Sequence, residues 1–259
     1  MNSVFEPIEH DSVADEVVEQ IESLIISGVL KDGRKLPAER EMAEVLKVSR
    51  PKLREALKTL EARKLLEIRH GGGSFVAPLV GKAMSPALMD LYARHPVAFF
   101  DYLEYRREQE AFAARLAAVR ATDADKVLLK RIMNTLIESH REQDLEVSKK
   151  ADIDFHMAIV DAANNATLAH IMSSIYELTM QGLFYNRDYL RSIDGSGDRL
   201  LEQHLTIGQA ILDGKADDAA AAAIAHMDFV EQSYRMGHER SKRERFALKR
   251  LLLSSAESK

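Results

Sequence analysis

Val13, Val17, Ile21, Leu24 and Ile25, closing at Gly28, recur at intervals of three and four behind Ser12, the spacing of one buried helix face after an N-cap. Met42, Ala43 and Leu46 repeat that spacing over 38–47, after a turn at Asp32-Gly33 and a proline before Ala38. Leu53, Ala56, Leu57 and Leu60 repeat it again behind Ser49, read as an N-cap, with Pro51 in the first turn, where its missing N–H matters little. The period then changes. LLEIRH and SFVAP are short extended runs on either side of Gly71-Gly72-Gly73, a hairpin whose glycines accept positive φ.

Three helices followed by a small hairpin predict a winged helix-turn-helix. Pro78, Gly81, Ser85, Pro86 and Pro96 place a boundary near residue 80, so the first domain is residues 1–80 and the second 81–259. Beyond it helical patterns cover about 96–120, 123–142, 145–163, 166–191, 198–213 and 216–250, the last expected to bend near Gly237. Thr122-Asp123, Asp144, Asn164-Asn165, Asp194 to Gly197 and Asp213-Gly214 separate them. No useful strand alternation appears, so the chain is mainly α: an N-terminal winged helix-turn-helix plus a C-terminal antiparallel all-α helical bundle.

Composition narrows the function. With 259 residues, 46% hydrophobic, the chain can bury a core in each of two domains. Cysteine is absent, so any metal is held by His, Asp or Glu. Residues 1–30 carry no Lys or Arg and seven acids, unlike a secretory leader, and no apolar run approaches the roughly 20 residues of a membrane span, so a cytoplasmic protein is expected. The net charge is -5, yet Lys47 to Arg69 hold eight basic residues against three acids. Distant acids are screened beyond about 8–10 Å and do not cancel such a face.

A helix with Ser49, Arg50, Lys52 and Arg54 at its N-terminal end can reach phosphates and base edges together in a major groove, and the wing Arg69 to Gly73 adds cationic groups beside glycines. A solvated basic helix is the plainer alternative. The sequence KLPAEREMAEVLKVSRPKLREALKTLEARKLLEIRHGGGSFV, with LP-x-ER, VSR-x-x-LREAL, L-E-x-x-L and the glycine wing in order, resembles the DNA-binding domain of the GntR family of bacterial regulators over about residues 10–78. That resemblance implies DNA contacts by Arg40, Arg50, Arg54, His70 and Gly71.

Of nine histidines, three stand out together with one acid. Asp152 and His156, at i and i+4, share one helix face, and His204 and His226 lie on the two helices flanking Gly214, roughly 15 and 18 Å from that corner, hence at nearly one level. Such an N3O set suits Zn, Ni or another borderline divalent ion. Each histidine taken singly is more often a hydrogen-bonded core or surface residue. Asp154, two residues from His156, points to another face.

DIDFHMAIVDAANN resembles the D-x-x-FH-x-x-I-x-x-A-x-x-N signature of the helical effector domain, FCD, in the FadR subfamily of GntR regulators, and EHLTIGQAILDGKADDAAAAAIAHM its later part. The resemblance implies a divalent metal, zinc first with nickel or manganese as alternatives, at Asp152, His156, His204 and His226. It also implies a small carboxylate effector such as pyruvate, lactate, glycolate or a sugar acid. Arg106 matches an arginine of the domain's first long helix and would pair with that carboxylate, Arg107 being the exposed alternative. The expected function is a ligand-responsive transcription factor, a repressor released by the acid, acting as a homodimer on a pseudo-palindromic operator in double-stranded DNA, with no membrane partner and no enzymatic activity. A regulator for which the ion itself is the signal, and a metal-dependent hydrolase, are the alternatives.

Overall fold

The computed structural model describes residues 12–69, 71–79, 95–180 and 196–256. Its contacts divide the chain into two compact units, Met1–Gly81 and Lys82–Lys259.

The first unit contains α1 (Val13–Ile26), α2 (Glu39–Leu46), α3 (Arg50–Ala62), β1 (Leu66–Arg69) and β2 (Gly73–Val76). Ser12 and Asp15 start α1 with a reciprocal capping box, each side chain accepting from the other's backbone N–H at 3.2 Å. Val17, Val18 and Ile21 of α1 then share one core with Leu53, Leu57 and Leu60 of α3 and with Met42 and Ala43 of α2. Between α2 and α3 the chain reverses through Lys47, whose φ of 54° lies in the left-handed region. Ser49 stands at the N-cap of α3, but its side chain makes no capping hydrogen bond. The expected hydroxyl cap is therefore absent, and the Ser49 carbonyl takes the first helical bond, from Leu53 N–H at 3.0 Å.

The strands pair antiparallel from Leu66 against Val76 to Arg69 against Gly73. Leu36 N–H donates to the Ser74 carbonyl and Val76 N–H to the Arg34 carbonyl, both at 2.9 Å, so the segment before α2 lies along the outer edge of β2. Gly71 (φ 73°) and Gly73 (φ 94°) supply the positive φ of the turn.

The second unit is helical throughout its described residues: α4 (Pro96–Arg120), α5 (Asp123–Arg141), α6 (Leu145–Ala162), α7 (Ala166–Met180), α8 (Ser196–Leu212) and α9 (Ala216–Ala256). Thr122 and Asp125 form a second capping box, Asp144 caps α6 by accepting from Val147 N–H at 3.0 Å, and Asn165 caps α7 by accepting from Leu168 N–H at 3.1 Å. Gly214 (φ 73°) makes the corner between α8 and α9. The expected stretch of helix from 181 to 191 lies outside the described residues. The last helix runs unbroken through Gly237; one glycine costs about 1 kcal/mol relative to alanine, too little to stop a helix anchored along α4.

α4 and α9 pack most extensively, and the residues between them explain why. Ala113, Ala114 and Ala117 of α4 and Ala219, Ala220 and Ala223 of α9 are all buried, and side chains this small let two helix axes come close. Arg115 with Asp217, Arg107 with Asp228, and Phe99 with Tyr234 mark the antiparallel register. Larger side chains, Phe155, Met172, Tyr176, Ile207 and Ile211, fill the space against α6, α7 and α8. No helix among the described residues is long and apolar enough to cross a membrane.

Candidate DNA interface and metal centre

The outer face of α3 carries the basic residues the spacing predicted. Arg50, at the first helical position, is exposed, and Arg40 on α2 is exposed and lies 3.9 Å from Glu44 one turn on. Two of the set are already engaged: Lys52 Nζ holds Glu55 at 2.8 Å, and Arg54 Nε donates to Glu39 at 2.7 Å across to α2. Exposed pairs of this kind contribute about 0–1 kcal/mol, so they tether the side chains without committing them. The Ser49 hydroxyl sits exposed where α3 begins, beside backbone N–H groups with no partner within the helix. Gly71 is the exposed tip of the hairpin, while His70 lies outside the described residues. At the wing, Phe75 is stacked under the Arg69 guanidinium, 4.3 Å from the ring centroid, which fixes Arg69 along the strand.

In the helical unit, side chains from three helices converge. Asp152 and His156 come from α6, His204 from α8 and His226 from α9, and all four are buried, none more than 5% exposed. Nitrogens of the three imidazoles lie within 4.8 Å of one another. His204 and His226 have ring centroids 4.6 Å apart, so the two helices leaving Gly214 do bring them side by side. Asp152 Oδ1 is 3.2 Å from His204 Nε2. Two ligands on one ion, each bonded at about 2.0–2.2 Å, are about 3.0–3.4 Å apart, so this spacing, the three nitrogens and the donor types together fit a borderline divalent cation. Asp154 is exposed, on the face expected for it. Among the other histidines, His140 pairs with Asp198 at 2.8 Å and His95 is exposed.

Arg106 is turned into this site and Arg107 away from it. The Arg106 side chain is 4% exposed and forks onto Glu110 Oε1, through Nε at 2.7 Å and through a second nitrogen, whereas Arg107 reaches outward to Asp228. The other oxygen of Glu110 is 2.8 Å from His156 Nδ1. Tyr176 stacks on His156, with centroids 6.1 Å apart, and lies under the Arg106 guanidinium at 5.1 Å. A small enclosed space lined by Glu110, His156, Ile159, Tyr176, Ile207 and Ala223 holds no more than about one water molecule.

Both halves match known families. A model described as bacterial regulatory proteins, gntR family, matches residues 13–76, and the FCD domain model matches residues 101–229. The chain belongs to the GntR family. This GntR regulator is 35% identical over 222 residues, 84% of each chain, to a protein of Escherichia coli (strain K12) provisionally named L-lactate dehydrogenase operon regulatory protein. It is 33% identical over 228 residues, 87% of this chain and 90% of the other, to the Glc operon transcriptional activator of the same strain. Among solved structures it is similar to a GntR protein of Streptococcus agalactiae, with a TM-score of 0.53 and 26% identity over 85% of this chain and 99% of that one. The match identifies a DNA-binding transcriptional regulator, not an enzyme.

Electrostatics of the regulator's helical unit follow from its burial. Burial, and then the charge of His156, push the His226 imidazole down to about 3, which keeps it in the neutral form that binds metals. Burial works to raise the Glu110 carboxyl, but the Arg106 charge followed by the charge and hydrogen bond of His156 outweigh it and hold Glu110 below the usual carboxylate range. Burial, and next the Glu110 charge, raise the Tyr176 hydroxyl. A pH dependence follows for the metal-free protein. Unfolded histidine titrates near 6.5, above the folded value, so the His226 contribution is complete above about pH 6.5 and is lost as the pH falls toward 3. Between pH 7.5 and 5.0 the helical unit is expected to lose about 2 kcal/mol from this group. Urea unfolding with chelator present measures it, and an equal loss in His226→Gln would rule out His226 as the source.

Glu110, Gln203 and Tyr176 are the members of this site that periodicity did not assign to it. Glu110 could be read only as a neighbour of Arg106 one helical turn on; that its second oxygen turns to His156 depends on how α4 meets α6. Gln203, whose Oε1 lies 3.2 Å from His226 Nδ1, had no local signal.

Proposed function

We propose that the operator affinity of this regulator is set by a small carboxylate bound at a divalent metal in the helical unit. Asp152, His156, His204 and His226 would hold the ion, whose positive charge and remaining coordination positions would supply the anchor for an acid. Arg106, buried beside these residues, would pair with the acid's carboxylate. The observation that carries this reading is the convergence of three buried imidazole nitrogens within 4.8 Å, with a carboxylate at ligand spacing, next to a buried arginine.

Two further observations bear on the acid's class. The space beside Glu110 and Tyr176 holds about one water, so an acid must displace side chains to enter, and a short acid displaces fewer than a long acyl chain. One relative is named for an L-lactate dehydrogenase operon, so 2-hydroxy and 2-oxo acids are the first to try. On DNA, a homodimer would place two α3 helices in successive major grooves of a pseudo-palindrome. The acid acts by binding DNA-competent and DNA-incompetent dimers unequally, since equal affinity shifts no population. Repression relieved by the acid is the direction we favour.

Calorimetric titration of zinc-loaded protein with pyruvate, L-lactate, glycolate and sugar acids, repeated after stripping with a chelator, tests the reading. Binding of one acid only with the ion present supports it, and that acid should then release operator DNA. If no acid binds in either form while the ion alone changes operator affinity, the ion is the signal and the effector reading is lost.

A further inference from the structure

Two of the three histidines have one ring nitrogen tied to an oxygen that can only accept. His156 Nδ1 faces Glu110 Oε2 at 2.8 Å, and His226 Nδ1 faces the Gln203 amide oxygen Oε1 at 3.2 Å. A carboxylate clasped by an arginine and an amide oxygen offer no proton, so Nδ1 must carry the hydrogen in both rings. The neutral ring then has its lone pair on Nε2. Glu110 is fixed in turn, because the Arg106 guanidinium forks onto its other oxygen and both side chains are buried.

We propose that Glu110 and Gln203 are positioning residues for the metal centre: they fix the tautomer and tilt of His156 and His226 so that both present Nε2 to one ion. In this arrangement Arg106 has a task that precedes any effector, which is to keep the Glu110 carboxylate in place against His156. Acceptors behind metal-bound imidazoles orient the ring and raise its basicity, and their loss weakens metal affinity by about 10–100-fold. The inference rests on the metal reading above, but it makes a claim of its own about the rings in the absence of any ion.

That claim gives the test two independent parts, both on the full chain. In metal-free protein, histidine 15N NMR should show His156 and His226 as Nδ1–H tautomers, and Gln203→Leu should remove the preference at His226 alone. In Co2+ titrations with a competing chelator, Gln203→Leu and Glu110→Gln should bind about 10–100-fold more weakly than the unmodified chain, with an altered d–d spectrum. Gln203→Glu, which restores an acceptor, should recover affinity to within a few-fold. Gln203 is only partly buried, so its variants remain informative even if Glu110→Gln, which strands Arg106, does not fold. Unchanged affinity and spectrum in Gln203→Leu, or Nε2–H tautomers in the metal-free protein, overturn the inference while leaving the metal reading intact. Failure of the unmodified chain to take up Co2+ overturns both.

Discussion

Zinc at a free concentration a thousand times its dissociation constant is expected to stabilise the helical unit by about 4 kcal/mol, and His204→Ala is expected to abolish the gain. For a unit of this size that is a rise of about 8–16 °C in the unfolding midpoint. His204 is the position to change because it is 1% exposed, faces Asp152 at 3.2 Å and lies against His226. Its loss would remove one of the proposed ligands and leave a gap between two others. Differential scanning calorimetry of both proteins, with ion and with chelator, separates the effect from ordinary destabilisation, because the comparison is the ion-dependent shift within each protein. A midpoint that does not move with zinc in the unmodified chain, or that moves equally in His204→Ala, would show that no ion is held there.

The double variant Arg50→Ala/Arg54→Ala is expected to weaken operator binding by about 2–6 kcal/mol, taking each arginine as a direct contact with a base or phosphate at about 1–3 kcal/mol. Both side chains are exposed, and the Arg54 pair with Glu39 is a surface one, so folding should be little affected. Operator duplexes selected from random sequence, titrated by fluorescence anisotropy over a salt series, would divide the loss. A flatter salt dependence reports lost phosphate contacts, whereas an unchanged slope with reduced discrimination reports lost base contacts. Retention of full affinity by a folded double variant would move the DNA interface away from the start of α3.

The elements of the fold were legible in the sequence wherever a cap and a period agreed. Ser12, Thr122, Asp144 and Asn165 begin helices with the side-chain hydrogen bonds their types suggest. Ser49 has the right identity and position but spends no hydroxyl on the helix, since backbone bonding serves the turn between α2 and α3 instead. Gly237 looked like a bend because glycine is a poor helix former, and packing along α4 outweighs so small a preference.

In the candidate metal centre, Asp152 with His156 was visible from helical geometry alone, and His204 with His226 from their distances to one corner. Partners that cross between helices were not visible. Whether Glu110 serves Arg106, His156 or both, and whether Arg54 points to solvent or to Glu39, depends on rotamers chosen only after packing. Spacing along one chain segment does not encode them.

The convergence of the site on α6, α8 and α9 also determines when in folding it can exist. His156 lies 48 residues before His204, whereas His204 and His226 share the α8–α9 hairpin, so the full set meets only when α6 docks on that hairpin, and the loop-closure entropy of doing so has already been spent. An ion that recognises only the assembled set gains nothing from states in which α6 is still undocked. It should leave the folding rate of the helical unit almost unchanged and act by slowing unfolding, so that the loaded protein persists for longer without being made any faster.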